Sequence, residues 1–298
     1  MEAGVYKDIS IDDYHKVHTN WYSSTGLRKA KKSLKLFKMF NDGKLPDEYK
    51  VAFDMGNVFE LALLQSNEID TKVAFEQTIF EQIKKDNPDS KMPRGTTMYK
   101  EWFEQQKKDN KYVVSPENWA VITEMLASCY ADATINKLIK NIQYNYSIFW
   151  VDEETGLMLK TRPDIMKTSI ISGENKNIVV NLKTTRDASP EAFFKDCANH
   201  DYPFQACMEM DGVISAGVMP QVDNYFWLVV EKEPPYSAQL YRFAKEDIEY
   251  CKDDYRYTLK TVKMAFDSGI FPSYSQRADN KYGVIDVKLP LWYRNNGI

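Results

Sequence analysis

Between Leu27 and Phe40 the apolar positions Leu27, Leu34, Phe37 and Phe40 recur on one face among lysines, and Ser23, Ser24 and Thr25 before them offer helix caps. One amphipathic basic helix is predicted there. Residues 55–65, MGNVFELALLQ, are apolar almost throughout and predict a buried helix whose only charge is Glu60. Residues 84–102, KKDNPDSKMPRGTTMYKEW, are polar with two prolines, which predicts a mobile loop leading into a helix near Tyr99 to Lys107. The Ser-Pro start and helical period of residues 115–139, SPENWAVITEMLASCYADATINKLI, predict one further helix.

The period then changes to two. Residues 143–167, QYNYSIFWVDEETGLMLKTRPDIMK, read as two strands around the turn DEETG, and IVVNLKTT (178–185) reads as a third. A helix is expected after DASPEAFF as far as about Asp211, followed by a hairpin over residues 224–243 and a long closing helix over 245–269. This order predicts an α/β fold with a central mixed sheet flanked by helices. It is expected as a single domain over 1–298, mostly helical over 1–140 and carrying the sheet core over 141–298.

Register follows from the same pattern. The midpoint between positions 164 and 181 falls at about 172–173, inside SGEN, so a hairpin sets Asp164 opposite Asn181. The two-residue repeat then puts Asn181 and Lys183 on one face.

Composition narrows the choices. With 298 residues, 43% of them hydrophobic, and no Gly/Ser/Pro-rich divider, the chain can bury one substantial core. No apolar run approaches the roughly 20 residues of a membrane span, so a cytoplasmic protein is expected. Cys129, Cys197, Cys207 and Cys251 lack zinc-knuckle spacing and fit reduced packing thiols. The net charge of −4 argues against a generally basic nucleic-acid coat, yet residues 28–38, RKAKKSLKLFK, hold six basic residues and no acid. The three histidines show no metal-ligand spacing, and neither a G-x-S-x-G elbow nor a phosphate loop is present.

Hydrolysing a phosphodiester needs a hard cation on oxygen ligands and a positive group for the developing charge. Asp164, the Asn181 side chain, the Leu182 carbonyl and Lys183 form such a set, and Glu60, isolated among apolar residues, adds an oxygen donor. Two plainer readings stand beside this one: Glu60 on the wet stripe of its helix, and Asp164 with Lys183 as a cross-strand ion pair.

Taken together, YHKVHTNWYSSTGL, MGNVFELALL, PRGTTMYKEWFEQQKKDNKYVVSPENW, GLMLKTRPDIM, VVNLKTT, YPFQACMEMDG and the closing YGVIDVKLPLWYR resemble, in family order, the exonuclease VIII (RecE-type) nucleases of the PD-(D/E)XK superfamily, which includes lambda exonuclease. The resemblance implies a site using Mg²⁺ or Mn²⁺ and 5′-to-3′ digestion of one strand of duplex DNA, leaving a 3′ overhang for phage-type recombination. It implies double-stranded DNA ends, a RecT-type single-strand annealing protein and a ring-shaped homo-oligomer as partners. Asp164 matches the first motif acid, Lys183 the motif lysine, Glu60 the helix position of His or Glu, Gln205 a glutamine after the core, and Thr184 the KTT ending. Ser23, Thr25 and Arg28, at a helix start that suits either a phosphate or an ordinary cap, fall where relatives bind the 5′-phosphate. The Lys29 to Lys38 face is expected to track the DNA backbone, and Arg94 to reach the duplex from its loop.

Two positions depart from the family: Asn181 replaces an Asp or Glu, and Glu209 replaces a Tyr. The first is expected to weaken or inactivate an otherwise intact nuclease, and Asn181→Asp to raise its activity at least about 100-fold. The alternative is a catalytically inactive protein that binds DNA ends or scaffolds a recombination complex. The iron–sulfur branch of the superfamily is excluded, since no cysteine follows Cys251.

Overall fold

Ser172 and Gly173 both take left-handed φ angles, 52° and 81°, which gives the two-residue turn whose twist suits a hairpin. It joins the antiparallel strands Ile165–Ile171 and Glu174–Thr185, paired from Ile171 with Glu174 to Ile165 with Val180. One step beyond that ladder, Asp164 falls opposite Asn181, the register expected from the sequence. The computed structural model describes residues 1–7, 9–16, 20–45, 51–277 and 282–289. His18 and the closing residues from Pro290 onward, both within stretches that carry the family resemblance, lie outside the described residues.

Glu174–Thr185 pairs in parallel with Asn224–Glu231, which pairs antiparallel with Ala238–Arg242, completing a four-stranded mixed sheet. The parallel crossover is made by the helices Pro190–His200 and Tyr202–Ser215. Alternate residues feed two cores. Met166, Val179, Tyr225, Trp227 and Val229 pack towards Tyr202–Ser215 and the closing helix Lys245–Ser268, whereas Ile165, Ile178, Val180, Leu228 and Val230 pack towards Val51–Leu64 and Pro116–Ala131. Helices therefore cover both faces, as expected for the α/β class. Gly4–Tyr6, Ser147–Val151 and Met158–Thr161 form a second, antiparallel sheet beside it.

Three helices expected as continuous are broken, two by a side chain that caps a new start and one by a left-handed residue. Ser33 separates Ser24–Lys32 from Leu34–Asn41, its Oγ accepting from Leu36 N at 3.2 Å. Asp132 separates Pro116–Ala131 from Ala133–Leu138, with Oδ1 accepting from Ile135 N at 2.8 Å. Asp201, at φ 54°, divides the helix expected to end near Asp211, and Pro203 suits the restart. The short strand Gly4–Tyr6, the parallel pair Val73–Phe75 and Tyr112–Val114, and the helix Glu76–Asp86 are additions to the expected elements. Among the described residues no helix is long and apolar enough to cross a membrane, and all four cysteines are free.

One close approach fixes the helix Tyr202–Ser215. A Cβ on Gly212 would lie 2.7 and 2.8 Å from the Trp150 ring and 2.9 Å from Thr161 Cγ2. Gly212→Ala should therefore destabilise the protein by about 1–3 kcal/mol, through overpacking, in urea unfolding. An unchanged midpoint would show that the helix can shift outward freely.

Candidate active site

The end of Glu174–Thr185 presents Asn181 and Lys183 on the face covered by Tyr202–Ser215, and the hairpin partner brings up Asp164. Asp164 is fixed by one strong contact: its Oδ2 accepts from Leu182 N at 2.6 Å. Thus Leu182, expected as a carbonyl ligand, contributes its N–H to holding the acid.

From Lys183 a polar chain runs into the helix. Lys183 Nζ, 4.4 Å from the Tyr202 ring centroid, donates to Gln205 Oε1 at 3.2 Å. Gln205 Nε2 donates to Glu209 Oε1, one helical turn on, at 2.8 Å. The other Glu209 oxygen accepts from Tyr225 Oη at 2.7 Å, and Asn181 Nδ2 reaches Oε1 at 3.3 Å. Asn181 Oδ1 is buried and has no hydrogen-bond partner among the described residues.

The acids crowd one another. Burial and then the Asp164 charge push the Glu60 carboxyl up to about 8, against the pull of Arg162 and Lys183. Burial raises Asp164 as well, although Lys183, the Leu182 amide and Arg162 oppose it. Glu209 is pushed up to about 7, again by burial first and by Asp164 second. Burial lowers Lys183 despite its acidic neighbours.

Glu60, Asp164, Gln205 and Glu209 line a cavity of about 1020 Å³, with Asn181 and Lys183 packed behind that lining. Ser23, Thr25, Lys29, Tyr14, Lys160 and Arg162 line the same cavity. Lys160 is 2% exposed and donates to Tyr14 O at 2.6 Å, and burial pushes it down to about 8. Arg162 is braced by Ile9 O at 2.8 Å and Asn145 Oδ1 at 2.7 Å. Sequence reasoning passed over Lys160 and Arg162, although both stand at two-residue spacing before Asp164 in the quoted LKTRPD.

The remaining expected contacts divide. Ser23 caps its helix, its Oγ accepting from Gly26 N at 3.4 Å, and still borders the cavity together with Thr25. Arg28 is not on the cavity wall; its guanidinium donates to His200 O and to Ser24 O, tying its helix to the end of Pro190–His200. Of the basic face, Lys31 is paired with Asp201 and Asp254 and Lys38 with Asp42, and Lys29 is the lysine that reaches the cavity. Two expectations are corrected. Arg94 grips the buried Glu76, which also accepts from Tyr99, and so anchors its loop instead of extending towards the site. Thr184 points to the opposite sheet face, its Oγ1 3.4 Å from where a Gly56 Cβ would stand.

The family described as "PDDEXK-like domain of unknown function (DUF3799)" matches residues 23–281. A crystal structure of a candidate exonuclease from Eubacterium rectale is similar with a TM-score of 0.52 and 13% identity, over 98% of this chain and 99% of that one, a likeness in fold. Rai1 from Scheffersomyces stipitis gives a TM-score of 0.25 at 12% identity, over 90% of this chain and 76% of that one, too slight for argument. No curated protein matches.

Proposed function

This chain belongs to the family of PDDEXK-like domains, and from that premise we propose that it is a metal-dependent exodeoxyribonuclease acting on duplex DNA ends. It digests the 5′-ended strand and leaves 3′ overhangs for recombination of the phage type. The observation that carries this reading is that Glu60, Asp164 and Glu209 line one cavity, with the Lys183–Gln205 pair bonded to Glu209.

PDDEXK nucleases typically use divalent metals. The donors here fit such an ion: burial and the Asp164 charge raise the Glu60 and Glu209 carboxyls, and among the described residues the Asn181 oxygen has no donor. Among the described residues no three acidic, His or Cys side chains are grouped so as to hold a metal ion by themselves, so amide and backbone oxygens are needed beside the acids. Glu60 and Asp164, with Asn181 and the Leu182 carbonyl beside them, would hold Mg²⁺ or Mn²⁺, which when bound polarises phosphate and acidifies water. Lys183, positioned by Gln205, stabilises charge developing on the phosphate oxygens. Ser23, Thr25 and Lys29, with Arg28 behind them, form the wall that receives the 5′-phosphate.

The test is digestion of 5′-labelled linear duplex in Mg²⁺ against EDTA, and closed circular DNA should be left intact. A 5′-phosphate should tighten binding to blunt duplex by about 10- to 100-fold, and Lys29→Ala should erase the difference. Equal affinity for phosphorylated and hydroxyl ends would leave Ser23 as a cap alone. In this reading the enzyme works in the cytoplasm as a ring-shaped homo-oligomer beside a single-strand annealing protein, which light scattering and co-purification would reveal. The amide at position 181 favours one other reading, an inactive DNA-end-binding scaffold, for which duplex ends would be bound and never cut.

A further inference from the structure

The strand lacks an acid opposite Asp164, and the structure shows what lies where that acid would act. Asn181 is 2% exposed, and its NH₂ faces the carboxylate of Glu209, which is 1% exposed. That contact fixes the amide: turning it over would set two oxygens against each other. The Asn181 oxygen is therefore held away from Glu209, buried and without a partner among the described residues.

Glu209 itself is held by Gln205, Asn181 and Tyr225, all neutral donors, while Lys183 spends its contact on Gln205. A carboxylate buried to this degree with no cation bonded to it costs stability, and an apolar or amide side chain would serve packing better. Yet it borders the same cavity as Glu60 and Asp164. Asn181 and Glu209 together offer one negative charge and a free amide oxygen, the charge that a single acid at position 181 would bring.

We propose that Glu209, reaching in from the helix Tyr202–Ser215, supplies the second carboxylate of the divalent-metal site, the charge that the neutral Asn181 does not bring. The proposal rests on the nuclease reading above and changes one consequence of it. Asn181 does not disable the site, and the gain expected from Asn181→Asp disappears, because a new carboxylate there would stand against Glu209. The acid has moved from strand to helix.

Mn²⁺ affinity, read by electron paramagnetic resonance on the full chain, and digestion of phosphorylated duplex test this together. Glu209→Gln keeps the shape and should weaken Mn²⁺ binding at least about tenfold and slow digestion at least about 100-fold. Asn181→Asp alone should not raise activity. Asn181→Asp combined with Glu209→Gln should restore Mn²⁺ affinity to within about tenfold of the parent, and this arm decides the matter should Glu209→Gln alone not fold. Parental Mn²⁺ affinity in Glu209→Gln, or a rise of about 100-fold on Asn181→Asp alone, overturns the proposal. If the variants rank as expected in Mn²⁺ binding but no form cuts DNA, the metal site stands and the nuclease reading falls.

Discussion

Asp164→Asn should lower metal-dependent digestion of linear duplex by at least about 10²- to 10³-fold while the protein stays folded. Asparagine is the informative replacement because its oxygen can still accept from Leu182 N, the contact that Asp164 makes at 2.6 Å. Alanine would strand that N–H at a cost of about 1–3 kcal/mol and mix a folding defect with a chemical one. The charge also raises Glu60 and Glu209, so removing it should let both titrate closer to the ordinary carboxyl range. Carboxyl carbon shifts in NMR would follow that relaxation without any assay of activity. Full digestion by Asp164→Asn, with both neighbours unmoved, would remove Asp164 from the site.

How far the site was legible depended on the distance over which each residue acts. The Asp164–Asn181 register could be read because a two-residue turn at Ser172 and Gly173 sets the pairing of everything that follows. Glu60 could be read because it is the lone charge in an apolar run. Glu209 was seen in sequence only as a departure from a tyrosine, since its meaning lies in contact with Asn181 and Tyr225 on other elements. The broken helices escaped for a related reason. Ser33, Asp132 and Asp201 are all tolerable inside a helix, and tertiary packing decides that they cap or terminate instead. Strands of three residues, such as Val73–Phe75 and Tyr112–Val114, are too short to display a period. Arg94 looked free in a polar loop, and only the fold shows the buried Glu76 beneath it.

The metal-free protein should lose stability as the pH rises from about 4.5 to 8, and Mg²⁺ should return increasingly more of it over the same interval. Glu60 and Glu209 titrate near 8 and 7 in the folded protein and near the ordinary 4.5 when unfolded. Between those values the folded state binds more protons than the unfolded one, so stability must fall with rising pH. The contribution is whole below 4.5 and is lost as the pH passes through 7 and then 8. Asp164, raised from 3.8, acts in the same sense; Lys183, lowered from 10.5, acts in the opposite sense at more alkaline pH. At about 1.4 kcal/mol per pH unit per proton, the two carboxyls together account for roughly 8 kcal/mol. A divalent ion takes the place of those protons, so its binding releases them and strengthens with pH. Urea unfolding at pH 5, 6, 7 and 8, in EDTA and in saturating Mg²⁺, would measure both slopes. The descending slope in EDTA should flatten in Glu60→Gln and in Glu209→Gln, because each removes one of the protons at issue. Were the parent equally stable across the range in EDTA, these carboxyls would already be compensated without metal, and the acids lining the cavity would have no need of a cation.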